Sequence, residues 1–254
     1  MTDSIDIQRP ALVEAAAQSG KVELAESAEV IANTVLDGEV TVLKNVFDEE
    51  HMHRVRRHVM QWGESYEPED VHVPYAEKSF HRFDKNPQGT DHPRQFHTYC
   101  FYDLLTEREL DEAHQSLDRV FRTLHSLHGT LVDRDDQFDL TYERPHYHPQ
   151  VIHYPSGGGY FGLHKHEFAP TRIGMILSLA KRGETFERGG VRFQDGGTTY
   201  ETAADHDIGD VLLFKYDLPH AVYPIDPEAE LDWSSEAGRW SLIMPYHRRE
   251  MEIE

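Results

Sequence analysis

Two histidines separated by one residue, His164 and His166, close the run HYPSGGGYFGLHKH. Side chains two apart on a strand project from the same face. Both imidazoles therefore converge on a common point, and imidazole is the commonest side-chain metal ligand. The pattern alone is not specific, since His51/His53 and His146/His148 share it and solvated or core-satisfied rings explain such pairs as well. Two later segments add context. In DIGDVLLFKYDLPHAVYPI, Pro219 fixes the backbone just ahead of His220 and offers a third imidazole at the start of a strand. In GRWSLIMPY, Arg239 and Ser241 share a strand face, and a guanidinium beside a hydroxyl makes a charge-assisted seat for a carboxylate. Taken alone, Arg239 reads as an ordinary surface ion pair; beside the histidines it reads as a binding residue.

These side chains need a rigid carrier. After Asp136, short runs rich in Val, Ile, Phe and Tyr alternate with turn clusters: PSGGG at 155–159, RGG at 188–190, DGG at 195–197 and Ile208-Gly209-Asp210. Strands are predicted over Gln150 to Tyr154, Tyr160 to His166, Ile173 to Leu179, Val191 to Gln194, Thr198 to Thr202, Val211 to Tyr216, Ala221 to Ile225 and Trp240 to Tyr246. Helices are predicted from Val22 to Val35, Asp48 to Gly63 and Glu107 to Leu131, where apolar residues recur at helical spacing. A strand is expected around Val40 to Val46 and another over Gln95 to Tyr102, while residues 1–20 are expected to fray. From Glu64 to Arg94, Pro68, Pro74, Pro87 and Pro93 punctuate a polar stretch that reads as a long loop or lid. The fold class is thus α+β: a double-sheet jelly roll buttressed by N-terminal helices. One domain spans 1–254, with buttress and lid over about 20–135 and the core over about 138–249.

Composition narrows the partners. The chain has 254 residues, with 25 Lys and Arg against 46 Asp and Glu, a formal charge of -21. Long-range repulsion therefore argues against nucleic acid and anionic membrane surfaces as partners. One cysteine, Cys100, allows neither an internal disulfide nor a cysteine-based zinc site. The first thirty residues hold no apolar run fit for a signal peptide, so the chain reads as cytoplasmic. Eighteen histidines are the sharpest departure from ordinary usage and raise the prior for a metal. Nothing in the sequence fixes an oligomeric state.

The order of parts resembles the Fe(II)/2-oxoglutarate-dependent oxygenases. Tyr154 to Gly157 match Tyr-x-x-Gly, His164 and His166 stand at the His-x-acid pair, and Gly189-Gly190 with Phe193 match the Gly-Gly-x-x-Phe hairpin. Gly209-Asp210 with Leu212 and Phe214 follow, then His220 as the distal histidine and Arg239 with Ser241 as Arg-x-Ser. The match covers about residues 150–247. Its specificity comes from the order together with the 56 residues from His164 to His220 and the 19 from there to Arg239. One departure stands out: His166 occupies the position of the family's carboxylate, and Glu167 is one residue further on. A Glu there points to the other strand face unless a bulge intervenes, so His166 is preferred as ligand, with Glu167 as the alternative and Asp217 a weaker donor.

The resemblance implies a double-stranded β-helix that uses Fe(II), 2-oxoglutarate and O2, with His164, His166 and His220 as catalytic metal ligands. It implies that Arg239 and Ser241 hold the distal carboxylate of 2-oxoglutarate and that Tyr154 adds a hydrogen bond. The organic substrate is then a small, amino-acid-like or natural-product metabolite. Its contacts are expected from the lid, through Tyr75, Lys78, His81, Arg82 and Lys85, whose positive charge favours an anionic or zwitterionic molecule. Because ligation needs neutral rings, metal affinity is expected to fall as pH drops through about 6.5. Two other readings use the same residues. A cupin-like three-histidine dioxygenase or isomerase would leave Arg239 without a carboxylate, and a non-catalytic ligand-binding jelly roll would keep Arg239 and lose the metal.

Overall fold

The computed structural model describes residues 6–65, 68, 79–90, 92–102, 104, 109–132 and 146–247. The N-terminal part supplies β1 (Asp6–Gln8), β2 (Ala11–Gln18), β3 (Lys21–Leu24), α1 (Ala28–Leu36), β4 (Thr41–Lys44) and α2 (Glu49–Glu64). The chain continues through β5 (Phe80–Asn86), β6 (Arg94–Cys100), α3 (Glu112–Val132) and β7 (His146–Tyr147). Then come β8 (Gln150–Pro155), β9 (Gly159–His164), β10 (Ile173–Ser178), β11 (Gly190–Asp195), β12 (Thr198–Glu201), β13 (Val211–Lys215), β14 (His220–Ile225), β15 (Gly238–Ile243) and β16 (Tyr246–His247).

The eight strands β8 to β15 pair as nested antiparallel couples, first with eighth, second with seventh, third with sixth and fourth with fifth. Further pairing of β10 with β15 and of β11 with β14 joins the couples into two facing sheets. That is the double-stranded β-helix of an α+β fold. The larger sheet is extended on one side by β6 and β5 and on the other by β4, β2 and β3. β10 and β8 are buried throughout apart from the half-buried Gln150, as expected for strands covered on both faces. The apolar faces of α1 and α3 supply that cover, through Ile31, Val35, Leu117, Phe121 and Leu124.

Local chemistry explains where the helices begin. The Ser27 hydroxyl accepts from Val30 N, the Asp48 carboxylate from His51 N and the Asp111 carboxylate from His114 N, each satisfying an orphan amide in a first turn. The Gly-Asp motif is also structural. Gly209 sits at φ +82° with the Phe47 carbonyl packed where a Cβ would be, and buried Asp210 accepts from Asn45 N and Asp207 N while pairing with Lys44. The carboxylate thereby ties the entry of β13 to the end of β4.

Three sequence expectations are corrected. Residues 6–18 do not fray: β1 runs parallel to β12 and β2 parallel to β4, because an alanine-rich strand still adds a ladder of backbone hydrogen bonds. The helix predicted from Val22 starts at Ala28, since residues 21–24 pair with β2. The long loop predicted between Glu64 and Arg94 contains β5, paired residue for residue with β6 from Phe80↔Cys100 to Asn86↔Arg94. Pro87 and Pro93 bracket the hairpin connection instead of breaking the strands. Among the described residues, no helix is long and apolar enough to cross a membrane.

Candidate active site

β9 ends at His164 and β14 begins at His220, and the two residues are direct cross-strand partners. Register shifts interrupt this pairing between His220 and Val222 and again before Ile225. Such irregularity re-aims side chains, and here Phe161 and His164, three apart, both line the interior. His166 follows two residues past the strand end, not within the strand as the spacing suggested, yet lines the same interior. The ligand atoms of His164, His166 and His220 lie within 4.8 Å of one another.

The second nitrogens of two rings are already committed. His164 Nδ1 is 2.9 Å from Gly162 O and His220 Nδ1 is 2.9 Å from Leu218 O. A carbonyl only accepts, so each Nδ1 carries the proton and each Nε2 keeps its lone pair, the arrangement that orients a ligating imidazole. His166 is held by stacking on Tyr216 at 4.6 Å. Burial pushes the pKa of His220 well below its ordinary value and that of His164 down, and burial with the neighbouring His164 pushes His166 down to about 4. Three neutral, converging imidazoles are a donor set for a divalent transition metal such as Fe(II). Glu167, the alternative to His166, is exposed and outside the group; Asp217 is outside it as well.

Arg239 and Ser241 lie on the inward face of β15, 4 % and 1 % exposed. Arg239 Nη1 donates to Ser241 Oγ at 2.6 Å, while Nη2 is buried without a partner among the described residues. Burial pulls the guanidinium pKa down to about 10, which leaves it charged at neutral pH. Tyr154 is its cross-strand neighbour, with the guanidinium carbon 5.9 Å from the ring. Burial raises the phenol pKa, so its O–H remains a donor. A buried cation with an unused donor edge, beside a neutral hydroxyl and phenol, fits a carboxylate.

A cavity of about 300 Å³ between the two sheets joins these parts. His164, His166 and His220 line it together with Arg239, Ser241 and Tyr154. Phe193 and Phe214 pack on His220 at 5.4 and 4.9 Å and form an apolar wall.

The expected substrate residues fare differently. Tyr75 and Lys78 lie outside the described residues. Arg82 lines the cavity, whereas His81 and Lys85 occupy the opposite face of β5, His81 stacked on Tyr99 and Lys85 over Phe83 and Trp233. Sequence reasoning missed Asp84, Arg94 and Thr98, which also line the cavity. The available signal was the alternation in FHRFDKN, which sends Arg82 and Asp84 to one face once the segment is read as a strand.

No protein-family model and no curated protein matches the chain. Solved structures share its fold. A 2OG-Fe(II) oxygenase family oxidoreductase from Burkholderia pseudomallei is 13 % identical with a TM-score of 0.55, over 97 % of this chain and 96 % of that one. A prolyl-4-hydroxylase from Pseudomonas putida is 13 % identical with a TM-score of 0.54, over 87 % and 99 %. AviO1 from Streptomyces viridochromogenes is 12 % identical with a TM-score of 0.53, over 86 % and 95 %. The chain therefore has the fold of the 2OG-Fe(II) oxygenases, in agreement with the resemblance carried by its motifs.

Proposed function

We propose that this protein is an Fe(II)/2-oxoglutarate-dependent oxygenase that oxidises a C–H bond of a small amino-acid-like or natural-product metabolite. The observation that carries the reading is the buried Arg239 guanidinium, with Nη2 unpartnered, in one cavity with three converging neutral histidines. A three-histidine enzyme that takes no keto-acid would have no role for this charge, and isolating it without one costs free energy. The fold of the solved neighbours supports the same class.

In this reading His164, His166 and His220 hold the metal, with Nε2 of His164 and His220 presented by the carbonyls that hold Nδ1. Arg239 and Ser241 seat the distal carboxylate of 2-oxoglutarate, and Tyr154 contributes a neutral donor beside it. The bidentate guanidinium fixes the orientation of the keto-acid before any bond is made. Phe193 and Phe214 keep water away from His220. Fe(II) with 2-oxoglutarate and O2 supplies the oxidising chemistry, one oxygen atom going to the substrate and one to succinate, with release of CO2.

The test is direct. The protein is titrated with Fe(II) under anaerobic conditions with and without 2-oxoglutarate, then exposed to O2 and assayed for succinate. Tighter iron binding in the presence of 2-oxoglutarate, followed by succinate formation, is expected. Iron binding indifferent to 2-oxoglutarate would favour the cupin-like reading, and no iron binding the non-catalytic one.

A further inference from the structure

A second group of metal-ligating side chains lies outside the cavity, where α2 meets the first turn of α3. One ring nitrogen each from His58 and His114 and one oxygen of Asp111 lie within 4.8 Å of one another. The two rings meet edge to face with their centroids 4.8 Å apart. Beneath them His114 packs edge-on against Phe101, which in turn packs on Trp62 at 4.6 Å. Both histidines are half-buried and Asp111 is exposed, so the group has an apolar floor and one side open to water.

The donor atoms are prepared for a cation. Asp111 Oδ1 accepts from His114 N at 2.7 Å and lies 3.0 Å from His114 Nδ1. A carboxylate only accepts, so Nδ1 carries the proton and Nε2 keeps the lone pair, as in a carboxylate-oriented ligand. His58 Nε2 is shielded from water and has no hydrogen-bond partner among the described residues. Orphaned ring nitrogens occur elsewhere, as in His97 and His125, but among the described residues no further ligands converge on those. A third grouping, Glu49, His53 and Glu184, is already neutralised: Lys181 donates to Glu49 at 2.6 Å and Arg56 lies 4.0 Å from Glu184. Asp111 has no lysine or arginine partner among the described residues. The dipole of α3 disfavours a cation at its first turn, but the charges of Asp111 and Glu112 offset it there.

We propose that His58, His114 and Asp111 form a second metal site, for a divalent transition ion of the zinc(II) class, that pins α2 to the start of α3. Two imidazoles and a carboxylate suit such an ion, with water completing the shell on the open side. A tetrahedral ion holds its ligand atoms roughly 3.3 Å apart, and rotation of the exposed Asp111 side chain closes the set. Between α2 and α3 the chain forms β5 and β6, which supply Arg82, Asp84, Phe96 and Thr98 to the cavity. The ion therefore clamps both ends of the excursion that builds one cavity wall, without touching the cavity. The site stands whether or not the protein is an oxygenase.

The first test locates the ion. Crystals of the full chain are soaked in Zn(II), and anomalous data are collected on both sides of the zinc edge. A peak joined to His58, His114 and Asp111 at about 2.0 to 2.2 Å is expected, and His114→Gln should abolish it. No peak there, or one that survives the substitution, would overturn the site. The second test reads affinity, by competition with a chromophoric chelator in protein carrying His220→Ala to remove the cavity cluster from the count. Asp111→Asn keeps a good helix cap and should weaken the remaining zinc binding by about tenfold or more. Zinc should also raise the unfolding temperature before, but not after, that substitution. Unchanged affinity would mean an adventitious ion only and would overturn the proposal. Should His220→Ala fold poorly, stoichiometry in the otherwise unaltered chain decides: Asp111→Asn must bind one equivalent fewer at a zinc concentration that just saturates the parent, and an equal count would be equally fatal.

Discussion

Two groups of histidines lie on opposite faces of the sheet that joins β6, β8 and β15, the cavity set half-buried to buried and the outer set buried. On the cavity side, His164 and His220 spend Nδ1 on carbonyls of their own strands and direct Nε2 inward. On the outer side, a cross-strand row runs from Phe83 through His97 and His153 to Trp240, with His81 and Tyr99 stacked beside it. There His81 bonds to Gly63 O and to His97 Nδ1, and His153 to Ala237 O, while His97 Nε2 is buried without a partner among the described residues. Burial pushes His81, His97 and His153 down to about 4, 2 and 3, as neutral as the cavity set. Histidine abundance and neutrality are therefore shared, and convergence separates the groups: three rings bring their nitrogens together in one cavity, whereas the outer rings stack among aromatics.

The largest expected contrast comes from truncating one ring of each group. His220→Ala should weaken Fe(II) binding on the order of a hundredfold or more with modest loss of stability. His153→Ala should leave iron affinity within about twofold and cost about 3 kcal/mol of stability, because it opens a hole beside Trp240. Calorimetry and chemical denaturation of both variants decide it, and exchanged phenotypes would break the comparison.

Next in size is Arg239→Gln, which removes a bidentate charge-assisted contact. It should weaken 2-oxoglutarate binding by about 2 to 3 kcal/mol, close to a hundredfold, with iron binding nearly unchanged. Cosubstrate affinity within a factor of two of the parent protein would remove Arg239 from the site.

Acid should act on the two groups with the same sign but through different readouts, stability for the outer rings and metal retention for the cavity set. The outer rings have folded pKa values depressed below the unfolded value near 6.5, so their stabilisation is complete above that pH and is lost as pH falls from about 6.5 towards 4 and below. At pH 5 each ring favours the unfolded state by about 2 kcal/mol. His153→Phe keeps a ring against Trp240 and should flatten the acid slope by about one proton. Metal competition has the same sign: with His166 at about 4, proton competition begins well below the 6.5 expected from the sequence. Iron retained by still-folded protein at pH 5.5 would sharpen the distinction; iron lost in parallel with outer-ring protonation would erase it.

The smallest effect is expected from His166→Asp, which exchanges one donor for another at the unusual position. Iron should remain within about tenfold of the parent affinity. A complete loss of metal would mean that the stacking of His166 on Tyr216, not merely its donor atom, sets the geometry.

Much of the core was legible because short apolar runs between Gly-rich turns report a two-sheet sandwich, as in Val211–Lys215 and Gly238–Ile243, which are buried almost throughout. The grouping of His164, His166 and His220 was also readable, since spacing and turn residues act locally. The hairpin of Phe80–Asn86 was not, because prolines at 87 and 93 have the same sequence signature at a strand end as inside a loop. That misreading hid Asp84 and gave His81 and Lys85 to the substrate, although alternation sends them to the far face. The parallel N-terminal strands escaped notice for another reason: Ala11–Gln18 has little apolar bulk, and its partner β4 lies beyond a helix.

The nested pairing of β8 to β15 also dictates an order of events during synthesis. His164 and His166 leave the ribosome long before Arg239, whose strand is the last to enter and which pairs with the first strand of the set. A nascent chain can gather its three imidazoles as soon as β14 folds against β9, yet Arg239, the proposed seat for the keto-acid, joins only when β15 closes the sandwich. On the proposed function, metal capture would thus be available to a half-built protein, whereas oxidant chemistry would wait for the final strand. The topology itself would then delay the dangerous half of the reaction until the cavity that must contain it is shut.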